Sequence, residues 1–185
     1  WSTSQLQGVV ESETEGEGEG EGEGEGEGEG EGEVWFVDRR STDWTADGRS
    51  WSGAFDTLQK GIDAAAAAGG GEVWVAAGVY DEERGNHAGS VVLKPGVHVY
   101  GGFAGGETSL DQRDWDANAT VIDGSKALGV RQAYHVVVGV NDSTLDGFTI
   151  QGGRADGSDS DRLGGGLFNS SASPRVENCH FVGNW

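Results

Sequence analysis

Methionine is absent from the 185 residues, proline occurs twice, cysteine once, and lysine and arginine together number 12. Each shortage closes off something. A lone Cys179 has no partner for an intrachain disulfide, so this stretch must be held by packing and hydrogen bonds, and its redox compartment is not written in cysteine usage. With 12 cations against 32 carboxylates there is no basic stripe of the kind that tracks phosphates, which argues against nucleic acid as a partner. No apolar run reaches the roughly 18 to 20 residues that cross a bilayer, so no membrane span is encoded here, and any signal peptide would precede Trp1. The chain opens without an initiating Met and stops at Trp185 just after a strand pattern, which reads as cut at both ends.

What is abundant is glycine, at 35 residues, and acid placed unevenly. Twelve of the carboxylates lie between Glu11 and Glu33; from Val34 onward 12 cations face 20 anions, a net charge of −8. From Glu15 to Glu33 Glu and Gly alternate without a break. Such a run buries no apolar surface, repels itself and carries the backbone entropy of glycine, so 15–33 is expected to be an extended disordered linker. Residues 1–14 then read as the tail of an upstream segment, and 34–185 as one domain. A repeat grown by slippage, with no role, is the bland alternative.

Past the linker, Val34–Val37 is β-prone, and a turn-rich stretch ends in Asp47-Gly48-Arg49-Ser50-Trp51. Phe55, Leu58, Ile62 and Ala65 or Ala66 then recur at spacings of three and four, which predicts a single amphipathic helix over 54–68, with Ser52 as N-cap and Gly69-Gly70-Gly71 as its stop. Short strands follow, separated by Gly, Asn and Asp, at 72–76, 90–93, 97–100, 120–122, 135–138, 144–150, 166–168 and 175–182. Val73, Val97, Val121 and Leu145 stand 24 residues apart and Val176 another 31, the excess falling in the polar insertion Arg154–Arg162. The last two copies align without gaps, Leu145 over Val176, Phe148 over Cys179 and Ile150 over Phe181. A period in the low twenties holding two or three strands is one coil of a parallel β-helix. The expected fold is thus all-β, a right-handed parallel β-helix of about five coils, with the helix capping the first coil's unpaired edge.

The residues that carry this pattern also resemble a known group. Asp47-Gly48-Arg49-Ser50-Trp51, Leu58-Gln59, the run Glu72 to Tyr80, Val99-Tyr100-Gly101-Gly102-Phe103, Gln112-Arg113-Asp114-Trp115 and Leu145 to Ile150 are similar to bacterial right-handed β-helix repeat proteins of the pectin-lyase-like superfamily. Gly165-Gly166-Leu167-Phe168 and Phe181-Val182-Gly183-Asn184 also resemble the short repeats of polymorphic outer-membrane proteins. The resemblance implies a secreted or cell-surface bacterial protein with a long solenoid that serves as an adhesin stalk or a polysaccharide-processing surface. It carries no reaction with it, because fold and site are separable.

Eliminative cleavage of a uronate polymer needs a base near the C5 proton and a cation to neutralise the carboxylate. Asp146 and Glu177 share a repeat position, about 4.8 Å apart on neighbouring coils, with Arg175 and His180 on the last coil; these four are the catalytic candidates, against the reading of an ordinary solvated strand face. Asp156, Asp159 and Asp161 crowd one loop and are the candidate calcium ligands, against a plain solvated loop. No His-Glu-x-x-His or paired-Cys spacing marks a zinc site. Cys179 reads as a core thiol, and Trp44, Trp74 and Trp115 as coil-edge packing or sugar-stacking rings. Two functions stay open: a non-enzymatic surface protein contacting polysaccharide or a host or cell-surface glycan, and a polysaccharide lyase or glycoside hydrolase whose site lies beyond Trp185.

Overall fold

The structure, a computed structural model, describes residues 32–185; the expected upstream segment 1–14 and all but the last two residues of the expected linker lie outside the described residues. Gly32 and Glu33 are already part of the fold, since the Glu33 carbonyl accepts from the Glu72 N–H at 3.0 Å and its carboxylate pairs with Arg49.

The described residues contain twelve strands, one α-helix and three short 3-10 turns. In chain order the strands are β1 Val34–Val37, β2 Gly71–Ala76, β3 Gly78–Tyr80, β4 Val91–Val92, β5 Val97–Phe103, β6 Thr120–Asp123, β7 Val137–Gly139, β8 Ser143–Asp146, β9 Thr149–Gln151, β10 Leu167–Asn169, β11 Arg175–Glu177 and β12 His180–Val182, and α1 is Leu58–Ala67. They form three all-parallel sheets with the orders β1-β2-β5-β8-β11, β3-β6-β9-β12 and β4-β7-β10. From β2 onward the chain visits the long sheet, then the second, then the third, and repeats that order to its end. The fold is mostly β, parallel, with one helix.

Inward side chains stack along each sheet. Trp35, Val73, Val99, Leu145 and Val176 are register partners across the long sheet, Tyr80, Ile122, Ile150 and Phe181 across the second, and Val91, Val137 and Leu167 across the third. Most are fully buried in one cluster, which α1 joins through Leu58, Ile62 and Ala65. Such ladders place like residues at van der Waals distance about every 4.8 Å, so burial rather than side-chain polarity holds the circuits together.

The 24-residue spacing is overturned by these registers. Val73 pairs with Val99, Val99 with Leu145 and Leu145 with Val176, so successive circuits run 26, 46 and 31 residues. Val121 belongs to the second sheet, facing Val79 and Thr149. The even spacing arose because strands of two sheets share a Val-rich composition; connecting loops vary freely in length, and only the ladder positions are constrained. The gapless alignment of the last two copies is what the structure has, with Leu145 opposite Val176 and Ile150 opposite Phe181. Each continuous strand expected there is two strands around a corner, at Gly147 (φ 82°) and at Asn178 (φ 47°), a left-handed conformation that glycine and asparagine tolerate best.

The helix is shorter than 54–68. Ser52 sits in a 3-10 turn capped by the Ser50 hydroxyl, and α1 begins after Thr57. Phe55 is diverted to the sheet instead: its N–H donates to Phe36 O at 2.9 Å and its carbonyl accepts from Asp38 N–H at 2.8 Å. The glycine stop does occur. Gly70 N–H reaches Ala65 O and Gly69 N–H reaches Ala66 O, with Gly69 at φ 97°, the pattern of a Schellman motif. A Cβ on Gly61 would lie 2.5 Å from Val37 Cγ2, so its lack of a side chain lets α1 settle onto the first strands.

Candidate functional site

Alternation in parallel strands gives the long sheet an outer face with two rows. One row is Phe36, Trp74, Tyr100, Asp146 and Glu177, and beside it run Val34, Glu72, His98, Thr144 and Arg175. The N-terminal part of the face is roofed. Trp74 is stacked on Phe103 at 4.8 Å and meets Phe36 edge-on at 5.7 Å, while Trp51 closes over both Phe36 and Phe103 and donates its indole N–H to Glu107 O at 2.9 Å. Trp74 is thereby packed away from solvent. The open part begins at Tyr100 and His98.

Asp146 and Glu177 are register partners, and Arg175 is two residues from Glu177 on the same strand with its guanidinium 2.8 Å from the Glu177 carboxylate. His180 is not with them; it follows the corner at Asn178 and lies on β12, in the second sheet. Asp146 is more enclosed than a solvated strand face would make it. Its side chain is only 5% exposed, Oδ2 accepts from Arg113 Nη2 at 2.5 Å and Oδ1 from Asn178 Nδ2 at 2.8 Å. Arg113 in turn lies against the rings of Tyr100 and Trp115, at 5.1 and 4.8 Å from their centroids, and donates to the carbonyls of Gly101 and Asp146. Both carboxylate oxygens of Asp146 are occupied, and the charge is compensated. Burial pushes the Tyr100 hydroxyl above its usual range, and the neighbouring carboxylates of Glu72 and Asp146 add to the rise, so it stays protonated at neutral pH.

Arg113 and Asn178 are the partners that sequence reasoning missed as site residues. Arg113 arrives on a loop of 16 residues between β5 and β6, and nothing in linear spacing announces where such a loop returns. Asn178 carried a readable signal, since it aligns with Gly147, and Asn replacing Gly marks a left-handed corner.

Asp156, Asp159 and Asp161 do not converge. Asp156 pairs with Arg154 at 2.7 Å, and Asp161 is 2.8 Å from His87 Nε2 and 3.6 Å from His135 Nε2; Asp159 turns through a positive φ in a short 3-10 turn. Among the described residues no group of three or more His, Cys, Asp or Glu side chains is gathered to hold a metal ion. Asp161 acts as a tether instead, joining the insertion to the 80–90 loop through His87. His135 is buried and stacked on Phe168 at 4.5 Å, and His98 shares a hydrogen bond with Thr144 at 2.9 Å. Burial pushes the Cys179 thiol up, which suppresses the thiolate and leaves a packing residue. Trp115 is partly exposed over Arg113, and Trp44 is almost wholly exposed.

Parallel sheets visited in a fixed order, with inward ladders and an outer polar row, define a β-helix-like protein. The chain belongs to the family described as "Protein of unknown function (DUF1565)", whose model matches residues 41–185. Among curated proteins it is 37% identical over 117 residues to the mannuronan C5-epimerases AlgE2 and AlgE1 of Azotobacter vinelandii, covering 60% of this chain but 11% and 8% of the two relatives. The chain thus spans about a tenth of the length of the relatives it matches. No solved structure matches it. Among the described residues no helix is long and apolar enough to cross a membrane.

Proposed function

We propose that these residues form the capped N-terminal end of a right-handed parallel β-helix of pectin-lyase type, in a secreted or cell-surface bacterial protein, and that this end contacts polysaccharide without catalysing a reaction. The observation that carries the non-catalytic part is the saturation of Asp146: a carboxylate bound at both oxygens, by Arg113 and Asn178, is a rivet between circuits rather than a free base. Glu177 is likewise neutralised by Arg175. The similarity to proteins named for a reaction on mannuronan, a uronate polymer, supports polysaccharide as the contact. Adhesion fits the same surface. Residues 1–14 and 15–33 are read as an upstream tail and a spacer.

A second reading has one specific support. Removal of a C5 proton begins both inversion and eliminative cleavage, so the likeness to C5-epimerases favours a longer parent that acts on a polyuronate as epimerase or lyase, ahead of a glycoside hydrolase, with its reacting groups on circuits beyond Trp185. Chain and polymer are both anionic, so contact must come from local cations and aromatic faces rather than from net charge.

Affinity electrophoresis of the chain through gels containing alginate, pectate or a neutral glucan tests the contact; retardation by a polyuronate is expected, and none in any gel would sink it. Absorbance of unsaturated uronate ends, and proton spectra for inversion at C5, should both stay at the buffer blank with and without Ca²⁺. A rate above blank that disappears in Glu177→Gln would reverse the non-catalytic assignment.

A further inference from the structure

The loop 128–134 and the start of the insertion at 154–156 bound two adjoining clefts of about 210 and 430 Å³, which share Gln132, Arg154 and Asp156 in their walls. The smaller is completed by Arg131 and Tyr134 and the larger by Trp185. Arg131 is the notable group. Most cations of the described residues are held by a carboxylate, but Arg131 makes no ion pair. It is nonetheless fixed in place: its guanidinium lies over the Tyr134 ring at 5.8 Å, and Nη1 donates to the Tyr134 hydroxyl at 3.3 Å. Tyr134 is itself anchored by its N–H to Ala88 O at 2.8 Å.

The other walls have contacts of their own. Gln132 Nε2 donates to Gly152 O at 3.2 Å, Asp156 is oriented by Arg154, and the Trp185 backbone exchanges hydrogen bonds with Gly153 and Ala155 at 3.0 and 2.9 Å. Resting on the polysaccharide-contact reading above, we infer that this cleft is a subsite for one uronate residue of an acidic polysaccharide, away from the outer face of the long sheet. A uronate ring presents three things: a single carboxylate, several hydroxyls and an apolar C–H face. Arg131 offers an uncompensated planar fork for the carboxylate, the Gln132 amide and Asp156 offer partners to hydroxyls, and Trp185 offers an aromatic face. Asp156 also discriminates. A dianionic phosphate would meet its carboxylate at close range, whereas a hydroxyl-rich monoanion can donate to it.

The test is calorimetry and an amide NMR titration of the intact chain with tetramannuronate and tetragalacturonate, with cellotetraose and inorganic phosphate in parallel. Saturable binding of a uronate tetramer is expected, with shifts at Arg131, Gln132, Tyr134 and Ala155, and Arg131→Gln should weaken it about tenfold or more with the rest of the spectrum unchanged. Arg131 is exposed, so the variant should fold. Uronate binding that is indifferent to Arg131→Gln, or whose shifts fall around Tyr100 and Glu177, overturns the subsite while polysaccharide contact stands. Equal binding of phosphate or cellotetraose overturns the assignment to a uronate. No saturable binding of any saccharide overturns the subsite and the contact reading together.

Discussion

The first and last circuits of the described residues differ in how their strand edges are met. At the first, the edges of β1 and β4 have groups set against them. The outer edge of β1 is paired by Gly48 and Phe55 through main-chain hydrogen bonds, and α1 lies across the first strands. Gln59 does the most economical work: its side-chain amide accepts from Val92 N–H at 2.9 Å and donates to Val92 O at 3.2 Å, so one side chain imitates the missing neighbour of β4. At the other end β10, β11 and β12 have no strand beyond them among the described residues, and Phe181 is 47% exposed where its ladder partners Ile150, Ile122 and Tyr80 are fully buried. The comparison shows how main-chain and side-chain groups that imitate a strand can meet the edge of a parallel stack.

That comparison can be broken from either end. Leu58→Ala, at a fully buried position under the cap, should cost about 3 kcal/mol, measured by chemical denaturation; a loss below about 1 kcal/mol would mean the helix is not seated as described. Asp146→Ala strands the Arg113 guanidinium, 9% exposed, and should cost about 3 kcal/mol, with Arg113→Met in the same background recovering much of it. Gln59→Ala leaves the Val92 amide and carbonyl unpaired and should cost about 1 kcal/mol, with faster hydrogen exchange at Val92 and little change at Val99. By contrast Phe181→Ala should cost under about 1 kcal/mol, since the ring is already half in water; a cost like that of Leu58→Ala would show that the open end is covered in solution.

The smallest effect concerns acid. Burial pushes the Asp123 carboxyl up, but hydrogen bonds from Gln151 and Ser125 outweigh it and hold it below the usual range. A carboxyl lowered in the folded state stabilises above its unfolded value of about 3.9 and stops doing so as pH falls through the folded value. Asp123→Asn should therefore destabilise at neutral pH by a few tenths of a kcal/mol, and the gap from the parent should close as pH drops below about 4. A gap that is constant from pH 3 to 7 would assign the loss to geometry instead of charge.

The sequence by itself determined the class of fold and its sense of repetition. Period-two apolar patterns, one helical period and glycine-rich punctuation are local features, and they sufficed for parallel strands with a single helix and for the pairing of Leu145 with Val176. They did not determine the circuits, because a circuit's length is set by loops that carry no apolar pattern; hence Val121 lies in the second sheet in spite of its even spacing, and corners at Gly147 and Asn178 interrupt what looks in the sequence like continuous strand. The side-chain constellations belong wholly to the tertiary structure. Arg113 reaches Asp146 across 33 residues and Asp161 reaches His87 across 74. In both, a polar side chain finds its partner through where a loop lands, which depends on packing of the whole stack and leaves no periodic trace in the chain.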